Sequence, residues 1–223
     1  QASESVASQR MEGKRGKIVP EIEEISLQDL PLEGSEGWWR RSLKDYAQRF
    51  RVKVKVHLQG LEPLVISQSP QLAWEKSDPM TTGGTVWDAA LLLSVYLSRR
   101  PRRLQGYRVL ELGSGTGLVG LVASRLGAEV IFTDLPGMLP LLEANVRRNL
   151  PASAQIRPLA WQDAAGSWVH GERYDLVLMS DVLYHEGQYD SLLTALRVLA
   201  TSKGSRRLRV LWAQELHHPE LCQ

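Results

Sequence analysis

Alternating apolar and polar positions mark the first regular stretch of the chain. Apolar residues occupy every second position there, namely Val52, Val54, Val56 and Leu58. Because successive side chains of a strand point to opposite faces, this period predicts a half-buried β-strand. Gly60 follows, and residues 61–67 can return antiparallel to that strand. The pattern therefore predicts a β-hairpin over about residues 51–67.

The pattern of apolar positions changes at Asp88. The apolar run from Ala89 to Leu97 predicts a helix, with Asp88 as its N-cap. Strand-like segments then alternate with helical ones. The predicted strands are Arg108–Leu112, Glu129–Thr133, Gln155–Leu159, Asp175–Ser180 and Arg209–Ala213, and the predicted helices between them are Leu118–Leu126, Leu139–Asn149 and Tyr189–Ala200. This βαβ series predicts an α/β, Rossmann-like fold, in which a mostly parallel sheet carries helices on both faces.

Length and composition are consistent with one domain. The chain has 223 residues, of which 43% are hydrophobic, enough for a single core. Residues 1–36 are polar and have no sustained period, so we expect a disordered or loosely docked arm there. Residues 37–223 are then the domain itself, with the hairpin near its start and a ligand-binding core at about residues 85–213.

Charge and cysteine content narrow the range of partners and compartments. The 27 basic and 25 acidic residues give a net charge of +2, so electrostatics alone predict neither a nucleic-acid nor a membrane partner. The chain has one cysteine, Cys222, and no apolar leader, which favours a reducing compartment. We expect a cytoplasmic location, with the nucleus as a second one. His217 and His218 lack a second ligand pair at zinc-site spacing, so no metal site is predicted.

A glycine loop carries the strongest chemical signal. Residues 109–118 (VLELGSGTGL) lead from a predicted strand into a predicted helix. Glycines allow a tight turn and let backbone N–H groups approach a ligand. From Gly115 to Gly120 the loop matches the dinucleotide pattern G-x-G-x-x-G, and Asp134 follows at about 20 residues, where a ribose-binding acid belongs. A nicotinamide enzyme is therefore one interpretation.

Two further residues favour a different cofactor. Glu111 in the strand end and Gly113 before the dinucleotide pattern extend the motif to Glu-x-Gly-x-Gly-x-Gly. This motif resembles the first motif of the seven-strand, class I methyltransferases that use S-adenosylmethionine. Asp134 would bind both ribose hydroxyls in either family, so it does not discriminate between them.

The end of the fourth predicted strand discriminates better. Asp181 and Tyr184 follow it directly, where open α/β sheets place their ligands. The spacing Asp-x-x-Tyr resembles the protein-lysine methyltransferases of the methyltransferase-like 21 type. Three more segments resemble that family in order, residues 85–90 (TVWDAA), 133–136 (TDLP) and 159–161 (LAW). The resemblance covers roughly residues 74–212.

The resemblance implies a role for each matching residue. The cofactor site would comprise Trp87 as a wall, the loop residues Gly113, Ser114 and Gly115 at the methionine end, Asp134 on the ribose, Trp161 against adenine, and Ser180 through its backbone. Glu111 of the same motif would also belong to this site. Asp181 and Tyr184 would be catalytic, with Asp181 orienting the lysine amine and Tyr184 walling its channel. The substrate would be a lysine side chain of a protein, with a chaperone, an AAA ATPase or a translation factor as candidates.

Two features depart from the family pattern, and two other functions stay open. Few residues follow Trp212, so we expect the final strand pair of the seven-strand sheet to be missing. Position 162 is Gln where relatives usually have Gly.

The alternatives are a catalytically silent binding module that has kept the fold and, ranked below it, an NAD-dependent oxidoreductase.

Overall fold

The computed structural model describes residues 23–27, 47–71, 79–100, 104–150, 154–202 and 208–215. These residues form two β-sheets. The smaller sheet contains β1 (Glu23–Ser26), β2 (Lys53–His57) and β3 (Leu64–Ser67), and the larger contains β4 (Arg108–Leu112), β5 (Glu129–Asp134), β6 (Gln155–Pro158), β7 (Leu176–Ser180) and β8 (Arg209–Ala213). All strands of the larger sheet are parallel, in the order β6-β5-β4-β7-β8. The predicted parallel sheet is confirmed.

Helices cover both faces of the larger sheet. They are α1 (Asp88–Ser98), α2 (Leu118–Arg125), α3 (Leu139–Asn149) and α4 (Tyr189–Thr201). One face of the sheet packs against α1, α2 and α3, and the other packs against α4. Successive residues of each central strand alternate between the two cores, as they must in a pleated sheet buried on both sides. The predicted strands and helices after Asp88 agree with the observed ones to within one residue at each end.

The predicted hairpin is confirmed, and it gains a strand from the segment expected to be an arm. β2 and β3 pair antiparallel, and β1 pairs parallel with β2. The expectation of a disordered or loosely docked arm is therefore wrong for residues 23–27. The physical reason is burial, because Ile25 and Leu27 are only 5% and 3% exposed. The rest of residues 1–36 lies outside the described residues.

Two asparagines of α3 complete the open edge of β3. The Asn145 side chain accepts from the backbone N–H of Ser67 (2.7 Å) and donates to its carbonyl (2.9 Å). Asn149 makes the same pair of bonds with Val65, at 3.0 and 2.9 Å. Asn145 and Asn149 are about one helical turn apart, and this distance matches the separation of Val65 and Ser67, two residues apart on the strand. The hairpin is fixed to α3 because its edge groups hydrogen-bond to these two side chains in place of water.

Asp88 does not cap α1 as predicted. It is the first residue of the helix, Trp87 occupies the N-cap position, and no side-chain cap bond forms there. The Asp88 carboxylate instead lies 3.1 Å from the guanidinium of Arg49, which is 1% exposed. A buried guanidinium needs charged partners, so this ion pair outcompetes a neutral N–H donor.

The far end of the chain is described only as far as residue 215. Within the described residues, β8 pairs with β7 on one side and has no second strand partner. The expected absence of a final strand pair stays a prediction, and His217, His218 and Cys222 also lie outside the described residues. None of the described helices is long and apolar enough to cross a membrane.

Candidate functional site

A cleft opens at the carboxyl ends of the parallel strands. The chain runs from β4 outward to β6 and then returns to β7 on the other side of β4, so the loops after β4 and β7 diverge at this point. Such reversals are where open α/β sheets bind ligands. The cleft contains about 780 Å³ of space between atoms, which includes the solvent at its open mouth. Nine of the ten predicted site residues line it, namely Trp87, Gly113, Ser114, Gly115, Asp134, Trp161, Ser180, Asp181 and Tyr184.

The glycine loop brings backbone groups to the cleft. Gly113, Gly115 and Gly117 have positive φ angles of 64°, 52° and 84°, a region that favours glycine. At Gly115 a Cβ would lie 3.0 Å from the carbonyl oxygen of Gly83, so two backbone segments are in close contact there. The loop therefore requires glycine at this position for its conformation and for its packing.

Asp134 ties the loop to the end of β5. Its carboxylate accepts hydrogen bonds from the backbone N–H groups of Gly115 (2.6 Å) and Leu135 (2.7 Å). Burial raises the pKa of Asp134 to about 6, and the two amide donors oppose that rise. The carboxylate is therefore mostly ionised at neutral pH and is placed to accept hydroxyl groups of a ligand in the cleft.

Glu111 is the predicted site residue that the cleft does not contain. It is 1% exposed, and its Oε1 accepts from the backbone N–H of Gly120 at 3.0 Å. A Cβ at Gly120 would collide with the Glu111 carboxylate and with the ring of Phe132. The prediction that its side chain contributes to the cofactor site is corrected: alternation along β4 points it toward α2, so it fastens the helix that follows the loop.

Replacement of Glu111 by Gln should change how stability depends on pH. Burial raises the pKa of Glu111 to about 8, with the charge of Asp134 as a lesser cause. Between the unfolded pKa of about 4.3 and that value, the folded state holds a proton that the unfolded state has released, so stability falls as pH rises. Glutamine keeps the acceptor for Gly120 and removes this titration.

We expect the free energy of unfolding of Glu111→Gln to rise relative to that of the wild type by up to about 1.4 kcal/mol per pH unit from pH 5 to 8. Urea unfolding of both proteins at pH 5, 6.5 and 8 measures the difference. The same stability difference at all three pH values would contradict the assignment of a buried, protonated carboxyl group.

Asp181 is held in an unusual conformation at the end of β7. Its φ is 56°, and it is the only non-glycine residue with positive φ among the described residues. For L-residues other than Asn, Asp and Gly, this region costs about 1–2 kcal/mol, and a short polar side chain reduces that cost. Its backbone N–H donates to the carbonyl of Ala213 at 2.9 Å, and the residue is 7% exposed.

The aromatic residues of the cleft lie in three separate segments that connect the strands and α-helices. Trp87 precedes α1, and its Nε1 donates to the carbonyl of Thr82 at 3.1 Å. Trp161 begins a 3-10 helix, and its ring lies 3.4 Å from where a Cβ on Gly113 would be. Tyr184 lies beyond Asp181 and is half-buried. The cleft therefore combines flat apolar surfaces with a few polar groups, as small-molecule sites do.

Several lining or supporting residues escaped the sequence interpretation. Gly83 contacts the glycine loop, and the Gly83-Gly84 pair was a usable signal of close backbone approach. Gln214 contacts Asp181, and its position after the fifth strand was the corresponding signal. Arg49 has its guanidinium 4.6 Å from the centroid of the Trp87 ring, and no pattern in the sequence marked it.

Comparison with known proteins identifies the family. A family model described as lysine methyltransferase matches residues 66–219. The chain belongs to this lysine methyltransferase family. The family prediction made from the glycine loop and the Asp-x-x-Tyr spacing is thereby confirmed.

Individual relatives cover parts of the chain. The chain is 43% identical over 121 residues to the protein N-lysine methyltransferase METTL21A of Mus musculus, which covers 52% of this chain and 55% of that protein. It is 36% identical over 153 residues to the protein of the same name from Danio rerio, which covers 66% of this chain and 68% of that protein. It is 39% identical over 120 residues to EEF1A lysine methyltransferase 3 of Mus musculus (54% and 52%). The chain thus spans about half to two thirds of the length of these curated relatives.

Solved structures give one further finding. The chain resembles the T. thermophilus 16S rRNA N2 G1207 methyltransferase, solved in complex with AdoMet and guanosine, at 24% identity and a TM-score of 0.49, over 70% of this chain and 39% of that one.

The cofactor of the family, S-adenosylmethionine, fits the residues present. The glycine loop forms a cradle that side chains would fill, since a Cβ on Gly113 or Gly115 would meet neighbouring atoms at 3.0–3.4 Å. Asp134 supplies an ionised acceptor at the next strand end, and Trp161 supplies a flat surface beside the loop. These residues are the ones that would hold the cofactor, and their individual contacts stay predictions.

Proposed function

We propose that this chain transfers a methyl group from S-adenosylmethionine to a lysine side chain of a protein substrate. One observation carries the proposal: the cleft that contains the glycine loop and Asp134 is also lined by Asp181 and Tyr184. Cofactor-type groups and amine-binding groups thus share one cleft, as direct transfer between two bound molecules requires. The names of the relatives, which are lysine methyltransferases, support the same conclusion.

The proposed chemistry makes few demands on the protein. When bound, the cofactor supplies a methyl group activated by a sulfonium charge. The lysine ammonium has a pKa near 10.4 in water, so roughly one group in a few thousand is neutral at pH 7. Asp181 binds and orients the ammonium, which releases its proton to solvent and then presents its lone pair while hydrogen-bonded to Asp181. Tyr184 forms the wall of the lysine channel and keeps water from the reacting groups.

Two alternatives predict different binding behaviour. A silent module would bind S-adenosylmethionine and methylate nothing. An NAD-dependent oxidoreductase would bind NAD in preference to S-adenosylmethionine, and both membership of the lysine methyltransferase family and the Asp181-x-x-Tyr184 spacing disfavour it. Titration calorimetry of the chain with each cofactor separates these alternatives.

The substrate is proposed from one relative's name and from the resemblance. EEF1A is the first protein to test, because one relative is named EEF1A lysine methyltransferase 3. A chaperone and an AAA ATPase follow. A cytoplasmic location, with the nucleus as a second, stays a prediction that fluorescence microscopy of the tagged chain can test.

The decisive experiment incubates the purified chain with tritiated S-adenosylmethionine and purified EEF1A. We expect label on EEF1A, or on a protein band of a cell lysate when EEF1A stays unlabelled, and mass spectrometry should assign it to a lysine. Label on arginine, on nucleic acid or on no macromolecule, in spite of cofactor binding, would contradict the proposed function.

A further inference from the structure

Gln214 lies beside the proposed lysine-binding residue because of strand register. Ser180, the last residue of β7, pairs with Ala213, the last residue of β8. The residues that follow them, Asp181 and Gln214, therefore leave the sheet next to each other. Gln214 was not among the residues that the sequence marked.

The side-chain amide of Gln214 bridges the turn that holds Asp181. Its Nε2 donates to Oδ1 of Asp181 at 2.6 Å, and its Oε1 accepts from the backbone N–H of Leu183 at 3.0 Å. The Nε2 group also lies 3.0 Å from the carbonyl of Glu215 and 3.4 Å from that of Leu183. One amide thus connects the carboxylate to the backbone two residues further along.

The chemistry of this bridge requires an amide. A donor must face the Asp181 carboxylate and an acceptor must face the Leu183 N–H, and a glutamine side chain supplies both. A carboxylate at the same position would keep the acceptor but place a second negative charge against Asp181. A methyl group would supply neither.

An ion pair between Glu215 and the buried Arg49 holds the segment that carries Gln214. The backbone N–H of Glu215 donates to the same Oδ1 of Asp181 at 3.2 Å. The Glu215 carboxylate lies 2.8 Å from Arg49, which also contacts Asp88 at 3.1 Å. Arg49 belongs to the short helix Ala47–Phe50 before the hairpin, so the N-terminal part of the domain anchors the residues behind Asp181.

We propose that Gln214 is a positioning residue for methyl transfer, because it fixes the carboxylate of Asp181 and the Asp181–Leu183 turn in the orientation that receives the lysine amine. This inference rests on the proposed function. It adds to that function the group that acts through Asp181 without touching the substrate.

Activity measurements on two variants test the inference. Gln214→Ala removes both bonds of the bridge, and Gln214→Glu keeps the acceptor but replaces the donor with a negative charge. We expect kcat to fall about 100-fold in each at pH 8, since a small misplacement of a reacting group has that effect. Affinity for S-adenosylmethionine should stay within about twofold of the wild-type value, because Gln214 does not line the cleft. Gln155→Ala, at an exposed position where β6 begins, is the matched control and should behave as the wild type.

The pH dependence of Gln214→Glu gives a readout that loss of structure would not give. As pH falls, the introduced carboxyl group and Asp181 share a proton, which restores a donor between them. The ionisable groups linked to Asp181 through these contacts, Glu215, Arg49 and Asp88, are unchanged in this variant. The activity of the variant relative to the wild type should therefore rise roughly tenfold from pH 8 to pH 6. A constant ratio would overturn the inference.

Hydrogen exchange tests the bridge without any substrate. In Gln214→Ala the backbone N–H of Leu183 loses its acceptor, so it should exchange at least about tenfold faster, with no change in Gln155→Ala. Unchanged exchange, or wild-type kcat in Gln214→Ala, would overturn the inference. Faster exchange in a chain that methylates no substrate would support the bridge while refuting the proposed function, so the two failures are distinguishable.

Discussion

Replacement of Asp181 by Asn is expected to lower kcat for methyl transfer by roughly 100-fold while leaving affinity for S-adenosylmethionine within about twofold. The carboxylate is proposed to bind the lysine ammonium, and a charged hydrogen bond contributes about 1.5–3 kcal/mol. Asparagine keeps the shape of the side chain and an oxygen that accepts from Gln214 and Glu215. It also tolerates the positive φ of position 181, so the fold should persist.

Steady-state kinetics with titration calorimetry of the cofactor measure both parts of this result. Asp190→Asn is the matched control, since Asp190 is exposed in the first turn of α4 and does not line the cleft. Full activity of Asp181→Asn would refute the assigned role. A parallel loss of cofactor affinity would instead place Asp181 in the cofactor site. A wild-type chain that binds the cofactor but methylates nothing would favour the silent module.

The larger sheet and most of the site could be predicted from the sequence because their signals are local. A strand period, a glycine loop and an acid after a strand all lie within a few residues of one another. Parallel strands then bring their carboxyl ends to one edge, so Gly113, Asp134 and Asp181 must meet once the βαβ series is recognised. The topology alone therefore predicts that these residues lie close together, without any knowledge of side-chain contacts.

The remaining contacts had no local signal. Gln214 and Asp181 are 33 positions apart, and Arg49 and Glu215 are 166 apart, and neither pair follows a period. Aspartate is a residue type that N-cap positions favour, and the ion pair of Asp88 with the buried Arg49 overrides that preference. The glycine motif places Glu111 in the predicted cofactor site, but its side chain leaves β4 on the face covered by α2 and accepts from Gly120 there.

Gly115→Ala is expected to weaken binding of S-adenosylmethionine about 100-fold, which corresponds to about 2.7 kcal/mol. At φ 52°, a side chain costs about 1–2 kcal/mol relative to glycine. The added Cβ would also lie 3.0 Å from the carbonyl oxygen and 3.2 Å from the Cα of Gly83, and these are backbone atoms that cannot rotate away. The loop must therefore shift, and with it the Gly115 N–H that donates to Asp134 at 2.6 Å.

Titration calorimetry of the variant with S-adenosylmethionine measures the loss, and thermal melting reports how much of the strain reaches the whole fold. Gly137→Ala is the matched control, because a Cβ there would have no atom within 4 Å and its φ is not positive. The control should bind the cofactor as the wild type does. Wild-type affinity in Gly115→Ala would mean that the cofactor does not depend on the conformation of this loop, and the assignment of Gly113, Ser114 and Gly115 to its site would then be wrong.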